Sequence, residues 1–187
     1  MQLTVSIVER ATSRKVPGRI RPAMPSDKVL WTRWHGRMPR DAEDAHWEWD
    51  ELMDIAQVMS DQFAVYVLEA DGDLQGLRML EVSEDDVAAH GTHALRLSTA
   101  PWNRSPENRY RGIGSLLVGT AILRSLDDGH KGCAHCESLP KAEPFHEQNG
   151  MVVFNGISDE GLRRYRFTEE KARLFVGRLR QEGLLHG

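Results

Sequence analysis

Six consecutive residues, Arg109-Tyr110-Arg111-Gly112-Ile113-Gly114, carry the clearest chemical signal in this chain. Two glycines one residue apart follow two arginines and open an apolar helical run of Ile113, Leu116, Leu117, Ala121 and Leu123. Glycine takes positive φ and lets a ligand approach the backbone closely. The first-turn N–H groups of a helix lack intrahelical acceptors and bind anions. The arginines add fixed positive charge, and Ser115 can donate its hydroxyl to a phosphate. The run therefore reads as a cradle for a diphosphate. Tyr110 could stack on the ligand or pack on the helix.

Other groups of reactive residues carry less. His130, Cys133, His135 and Cys136 fall within seven residues, and Cys-x-x-Cys is a zinc-ligand spacing. The stretch reads as a strand, however, which puts Cys133 and His135 on one face and Cys136 on the other. No second Cys/His pair at ligand spacing exists in the chain, so no metal site is expected, and buried thiols are the simpler reading. No helix begins between the cysteines, as a thioredoxin-type dithiol would need. His90 and His93 flank Gly91-Thr92 beside the acidic Glu84, Asp85 and Asp86, a turn before a strand with an optional substrate-facing role. Trp31, Trp34, Trp47 and Trp49 read as core. No Ser/His/Asp order and no Walker-type lysine is visible.

Alternation and turn residues predict the elements that position the cradle. Strands are expected at 2–9, 62–69, 74–82, 94–100, 132–138, 151–155 and 162–167, with Asp71-Gly72-Asp73 as a hairpin turn. Helices are expected over 40–60, 112–127, 141–149 and 169–179. Residues 10–22, with five basic side chains around Pro17-Gly18, read as a basic loop, either solvated or facing a phosphate or substrate. Residues 102–111 read as a loop. The order predicts a mixed α/β sheet with one glycine loop at its centre.

With 187 residues, a net charge of −4 and a pI near 6.1, the chain reads as one domain over 1–187. A general nucleic-acid binder would be basic, so nucleic acid is not an expected partner. No apolar run approaches the ~20 residues of a membrane helix, and the N-terminus lacks the pattern of a secretory signal. Two cysteines do not make a disulfide scaffold, and a cytoplasmic protein is the simplest reading.

Arg109-Tyr110-Arg111-Gly112-Ile113-Gly114 resembles the (Gln/Arg)-x-x-Gly-x-(Gly/Ala) signature of the GNAT acetyltransferase superfamily. A strand ended by Pro101 precedes it. A strand and a helix then lead to Phe145-His146-Glu147-Gln148-Asn149-Gly150-Met151, which is similar to that superfamily's Phe-Tyr-Glu-Lys-Leu-Gly-Phe segment, with Ala142 four residues before His146. The match covers about residues 62–155 and is by element order elsewhere. Ala100-Pro101-Trp102-Asn103-Arg104 and Ser138-Leu139-Pro140 also resemble one small bacterial subgroup.

The resemblance implies a mixed, mainly antiparallel central sheet flanked by helices, with strands 94–100 and 132–138 splayed. Acetyl-CoA would enter the V as co-substrate. Its diphosphate would meet Arg109, Tyr110, Arg111, Gly112, Ile113, Gly114 and Ser115. Its pantetheine arm would pair with the backbone near Leu97 and Thr99, and an amine would attack the polarised thioester directly. The acceptor, a small molecule or a protein lysine or N-terminus, is not named by the sequence. A cationic acceptor could be drawn by the acidic residues at 41–54, which otherwise solvate a helix face. The resemblance is compatible with a homodimer.

Two departures stand out. His146 occupies the place of a tyrosine taken to protonate the leaving thiolate, and Leu139 that of an asparagine. Histidine can donate a proton near neutral pH. Strand 94–100 also lacks the carboxylate that many relatives use to deprotonate the amine; Glu137 and Glu81 are the candidate replacements. These losses leave an alternative function, a catalytically weakened module of the same fold that binds CoA or regulates.

Overall fold

The computed structural model describes residues 1–34, 36–82, 91–104 and 106–186. The sequence readings on Glu84, Asp85, Asp86, His90 and Ser105 lie outside the described residues. Ten strands form one mixed sheet: β1 (Leu3–Glu9), β2 (Lys15–Pro22), β3 (Phe63–Ala70), β4 (Asp73–Glu81), β5 (Thr92–Thr99), β6 (Tyr110–Arg111), β7 (Ala134–Ser138), β8 (Val152–Ile157), β9 (Arg163–Phe167) and β10 (Leu185–His186). Their order is β10-β1-β2-β3-β4-β5-β7-β9-β8, with the short β6 on β1. The pairings are antiparallel except β5 with β7.

The helices cover both faces. On one face lie α1 (Asp27–Trp31) and α2 (Trp49–Val58), which bury Trp31, Trp34, Trp49 and Met53 against Val65, Val67, Leu77 and Met79. Trp31, Trp34 and Trp49 are core, and Trp47 packs half-buried at its edge. On the other face lie α3 (Ile113–Asp127), α4 (Glu143–Gln148) and α5 (Glu169–Gln181). Here Leu116, Leu117, Phe175 and Leu179 pack on Ile7, Ile20, Leu68, Tyr165 and Phe167. Helix α5 starts at Thr168, whose hydroxyl accepts from the Lys171 N–H, a normal N-cap.

Two expectations are corrected. Residues 15–22 are not a loop but strand β2, paired on both sides. Pro17 lies beyond the last β2–β3 rung, Gly18↔Ala70, so its missing N–H can face an unpaired side. Arg14, Arg19 and Arg21 are ion-paired in place, while Lys15 donates only to a backbone carbonyl. Arg21 donates to both Asp27 oxygens, at 2.7 and 2.8 Å, and to Glu69 at 2.8 Å. The bond to Asp27 leads in raising its pKa above the ordinary arginine value. The helix expected over 40–60 is helical only from Trp49 to Val58, with turns before it.

The functional geometry comes from the parting of β5 and β7. They share two rungs, Thr92↔Ala134 and His93↔His135, and β5 then runs on to Thr99 and β7 to Ser138 without pairing. The splay expected at 94–100 and 132–138 is therefore present. At its closed end the Thr92 N–H donates to the Cys133 carbonyl at 3.0 Å. Gly91, at φ +84°, lies so close that a Cβ would sit 2.1 Å from that carbonyl oxygen. Only glycine fits, because the obstacle is backbone and the φ excludes side chains. Gly91→Ala is expected to lower unfolding stability by about 3 kcal/mol, measured by urea titration; an unchanged midpoint would refute this account of the vertex.

Candidate functional site

A cleft of about 590 Å³ opens at the start of α3, lined by Lys15, Arg111, Gly112, Ser115, Phe145, Gln148, Asn149 and Arg178 among others. Gly112 is the residue before the helix, at φ 92° and ψ −14°. That left-handed turn swings the chain from β6 into α3 and leaves the first-turn N–H groups without intrahelical acceptors. Three cationic side chains line the cleft with them. An anion there meets a helix dipole, free amides and fixed charge together.

The cleft wall is held by Asn149, nearly buried at 9% exposure. Its amide donates to the Phe145 carbonyl at 2.7 Å, and its Oδ1 accepts from Ser115 at 3.2 Å and Arg178 at 2.9 Å. Lys15 donates to the Glu182 carbonyl at 2.7 Å. Lys15, Asn149 and Arg178 come from β2, the end of α4 and α5, too far apart in sequence for local spacing to gather them.

The sequence candidates separate in space. Arg111, Gly112 and Ser115 line the cleft. Arg109 and Tyr110 turn to the β3–β4 hairpin, where both donate to Asp71 Oδ2 at 2.7 Å. The Arg109 guanidinium also lies 4.8 Å over the Tyr110 ring. Burial and the Asp71 bond push the Tyr110 hydroxyl up to about 12. Ile113 is buried in the core, and Gly114 sits against the Phe145 ring, which a Cβ would approach to 3.1 Å. Leu97 packs at the margin of the core, and the Thr99 carbonyl accepts from Arg104 at 2.9 Å.

Strand β5 carries a bulge. Met79 pairs with Arg96 and Leu80 with Ala94, so Leu95 is the extra residue. A bulge leaves its added residue outside the ladder and re-aims the chain. On the α1–α2 side of the sheet, near this bulge, Glu81 Oε2 and His93 Nδ1 are 2.9 Å apart. The His93 ring stacks on His135, with centroids 4.5 Å apart and planes at 12°. Glu137 accepts from Arg164 Nε at 3.2 Å. Glu81 is thus joined to a histidine beside the splay, and Glu137 to an arginine.

His146 lies on the opposite side of the sheet. Its two ring nitrogens are each 3.9 Å from Cys136 Sγ, and its ring stacks on Tyr165 at 5.6 Å. Burial, then the charge of Arg78, lowers its pKa to about 4. It is a neutral imidazole at pH 7. Burial pushes the neighbouring Cys136 thiol up to about 11. Cys133 and Cys136 are free thiols.

Three carboxylates of the acidic run at 41–54 are paired with cations. Burial raises the Asp44 pKa, but Arg104 and Ser98 hold it below the usual carboxylate value overall. Arg104 grips both Asp44 oxygens, and the Ser98 hydroxyl donates at 2.7 Å. Asp41 pairs with Lys141, and Asp54 with Lys28. Among the described residues, no group of three or more His, Cys, Asp or Glu is placed to hold a metal ion. No helix among them is long and apolar enough to cross a membrane.

No family model and no curated protein sequence matches this chain. Solved structures do. A protein assigned to the GNAT acetyltransferases from Desulfovibrio desulfuricans matches at TM-score 0.59 and 18% identity, over 81% of this chain and 99% of its own. Mycobacterium smegmatis RimJ, solved with CoA-disulfide, matches at TM-score 0.63 and 15% identity, over 100% of this chain and 96% of its own. The PaiA N-acetyltransferase of Thermoplasma acidophilum, solved with coenzyme A, matches at TM-score 0.54 and 16% identity, over 80% and 97%. The fold is that of GNAT acetyltransferases.

The environment of His146 has a consequence for stability. Its folded pKa of about 4 lies below the ordinary histidine value of 6.5, so the unfolded chain binds the proton more readily between those values. Stability from this residue is fully present above about pH 6.5 and is lost as the pH falls towards 4, by about 3 kcal/mol in all. Denaturant titrations from pH 7 to 4 are expected to show a decline that His146→Phe flattens; equal slopes would refute the assignment.

Proposed function

We propose that the protein is an acyl-CoA-dependent N-acyltransferase that moves an acetyl group from acetyl-CoA to a primary amine. The observation that carries this reading is the parting of β5 from β7, with a cationic cleft at Gly112, at the start of the helix that packs on β5. Supporting it, the fold is shared with acetyltransferases, two of them solved with forms of coenzyme A.

The diphosphate sits on the first-turn N–H groups of α3, with Arg111, Lys15 and Arg178 around it. Beyond His93, β5 has no described strand partner on its β7 side. The amide-bearing pantetheine arm fills that gap as an added strand, near Leu97 and Thr99. The thioester then reaches the bulge, where the Leu95 N–H is outside the ladder and free to polarise the carbonyl. Holding donor and amine together supplies most of the acceleration such a reaction needs.

The amine approaches from the α1–α2 side and attacks directly. His93 is the base. Its Nδ1 is held by Glu81, and its Nε2 bonds to no described residue. In this arrangement Glu81 orients the base rather than acting as one. Glu137 stays with Arg164, and His146, buried and neutral, is a wall rather than an acid. Of the carboxylates at 41–54, Asp41, Asp44 and Asp54 are already paired with cations.

Calorimetry with acetyl-CoA, propionyl-CoA and free CoA is expected to give dissociation constants on the order of micromolar, with Arg178→Ala and Lys15→Ala each weakening binding about tenfold. Flat traces with all three would reject the reading. An amine panel assayed for thiol release is expected to reveal turnover, and His93→Gln to cut kcat about 100-fold at unchanged CoA affinity. A His93→Gln enzyme as fast as the parent would remove the base assignment.

A further inference from the structure

Arg78 stands on β4, opposite Leu97 of β5. It is 3% exposed. It lines a small internal cavity with Ala94, Val118, Cys136 and His146, on the α3–α4 side of the sheet. Ala94, on the intervening strand, is short enough for a long side chain rooted on β4 to pass beneath β5. The guanidinium therefore reaches the line along which β5 and β7 part. Val118 lies about 8 Å along α3 from its first residue, so the cavity is set inward from the diphosphate cradle.

Among the described residues this cation has no carboxylate partner. Its Nε has no hydrogen-bond partner. Arg21 and Arg104, by contrast, each grip an aspartate with two nitrogens. Burial lowers Arg78 to about 10, so it remains charged at neutral pH. Of the titratable groups lining the cavity with it, Cys136 and His146 are neutral there, and the third is His135. A buried unpaired charge is costly, and an apolar side chain of similar length would serve the fold better. A group that becomes negative only during the reaction would give the charge its counterpart.

We propose that Arg78 is the counter-charge for the coenzyme A thiolate as it leaves the acyl group. The proposal rests on the acyltransferase reading and supplies what that reading lacks, an electrostatic partner for the leaving group in place of a proton donor. The amine nitrogen forms a bond to the thioester carbonyl carbon, and the carbon–sulfur bond breaks with its electron pair staying on sulfur. The proton from the attacking nitrogen goes to His93 Nε2. The thiolate is held beside the Arg78 guanidinium and takes a proton from solvent on release. The two proton-linked events fall on opposite sides of the sheet, the amine by His93 and the sulfur by Arg78. His146 and Cys136 keep water from the guanidinium, which strengthens its field at the sulfur.

The test is the ionisation of the coenzyme thiol bound to the intact protein. It is read from ultraviolet thiolate absorbance as the difference between loaded and empty protein, which cancels Cys133 and Cys136. The bound thiol is expected to ionise about one pH unit or more below that of free coenzyme A. Arg78→Gln and Arg78→Met are expected to abolish the shift while binding CoA, and Arg78→Lys to keep part of it. Turnover of acetyl-CoA by Arg78→Gln is expected to fall about 100-fold, with a smaller deficit for an aryl thioester whose thiol is more acidic. A bound thiol that ionises like the free one in the parent protein overturns the proposal with no variant needed. So does a shift that survives Arg78→Gln. Failure of the parent protein to bind CoA at all is a separate result: it removes the acyltransferase reading and this assignment with it.

Discussion

Two rungs of backbone pairing decide what this molecule can hold. Thr92↔Ala134 and His93↔His135 close one end of the gap between β5 and β7, and nothing described closes the other. Peptide groups along an interior strand need partners. Leaving a run of them open in the middle of the sheet is favourable only where water or a ligand takes the place of the missing strand. The constraint is enforced from behind. Gly91 lets the chain pass so near the Cys133 carbonyl that the closed end has no slack, while α3 and α4 occupy one face of the gap. An extended ligand with its own amides fits such a slot for the same reason that a strand would.

Charge placement reinforces this division between structure and site. Away from the gap, buried ions are matched: Arg21 with Asp27 and Glu69, Arg104 with Asp44. Such pairs fix geometry more than they add stability, because desolvation offsets much of the attraction. They lock β2 to α1 and the turns before α2 to the end of β5. Beside the gap Glu137 is matched by Arg164, but not every cation there has a carboxylate among the described residues. Arg78 faces the neutral Cys136 and His146, and the cationic cleft at Gly112 draws on three elements for its charge. The cleft at Gly112 has three cationic side chains and one acidic residue, Glu182, in its lining, a net positive balance that suits an anionic ligand.

How far the sequence could be read follows from how local each signal is. The Gly112 turn, the start of α3 and the alternation of β3, β4, β5 and β7 are set within a few residues, and they are where the pattern places them. Strand β2 was hidden because Pro17 and Gly18 speak for a loop in any local window; the partners that override them are β1 and β3, one of them 48 residues away in the Arg21–Glu69 contact. Trp47 and Trp49 with the acids before them look like one helix, yet Asp44 is drawn out to Arg104 and the helix starts only at Trp49. Arg109 and Tyr110 look like cradle residues until Asp71 claims both. The bulge at Leu95 has no sequence mark, since register depends on two strands at once. On the proposed reading, that bulge and the Glu81–His93 contact would put a supported base beside a strand without a carboxylate.

The absence of a tyrosine at position 146 then takes on a different meaning. In a site where the leaving sulfur had to be protonated, a neutral imidazole packed on Tyr165 and Cys136 would be a defect. A thiolate is a modest base, however, and the barrier to its departure is lowered by a positive potential as well as by a proton. A buried guanidinium supplies that potential across neutral pH, whereas a titrating acid supplies it only around its own pKa. The apolar wall that His146 helps to build is what keeps the potential from being screened. On this view the replacement of the tyrosine and the unpaired Arg78 are one arrangement, and the neutrality of His146 is a condition for the field of Arg78 to reach the sulfur undiminished.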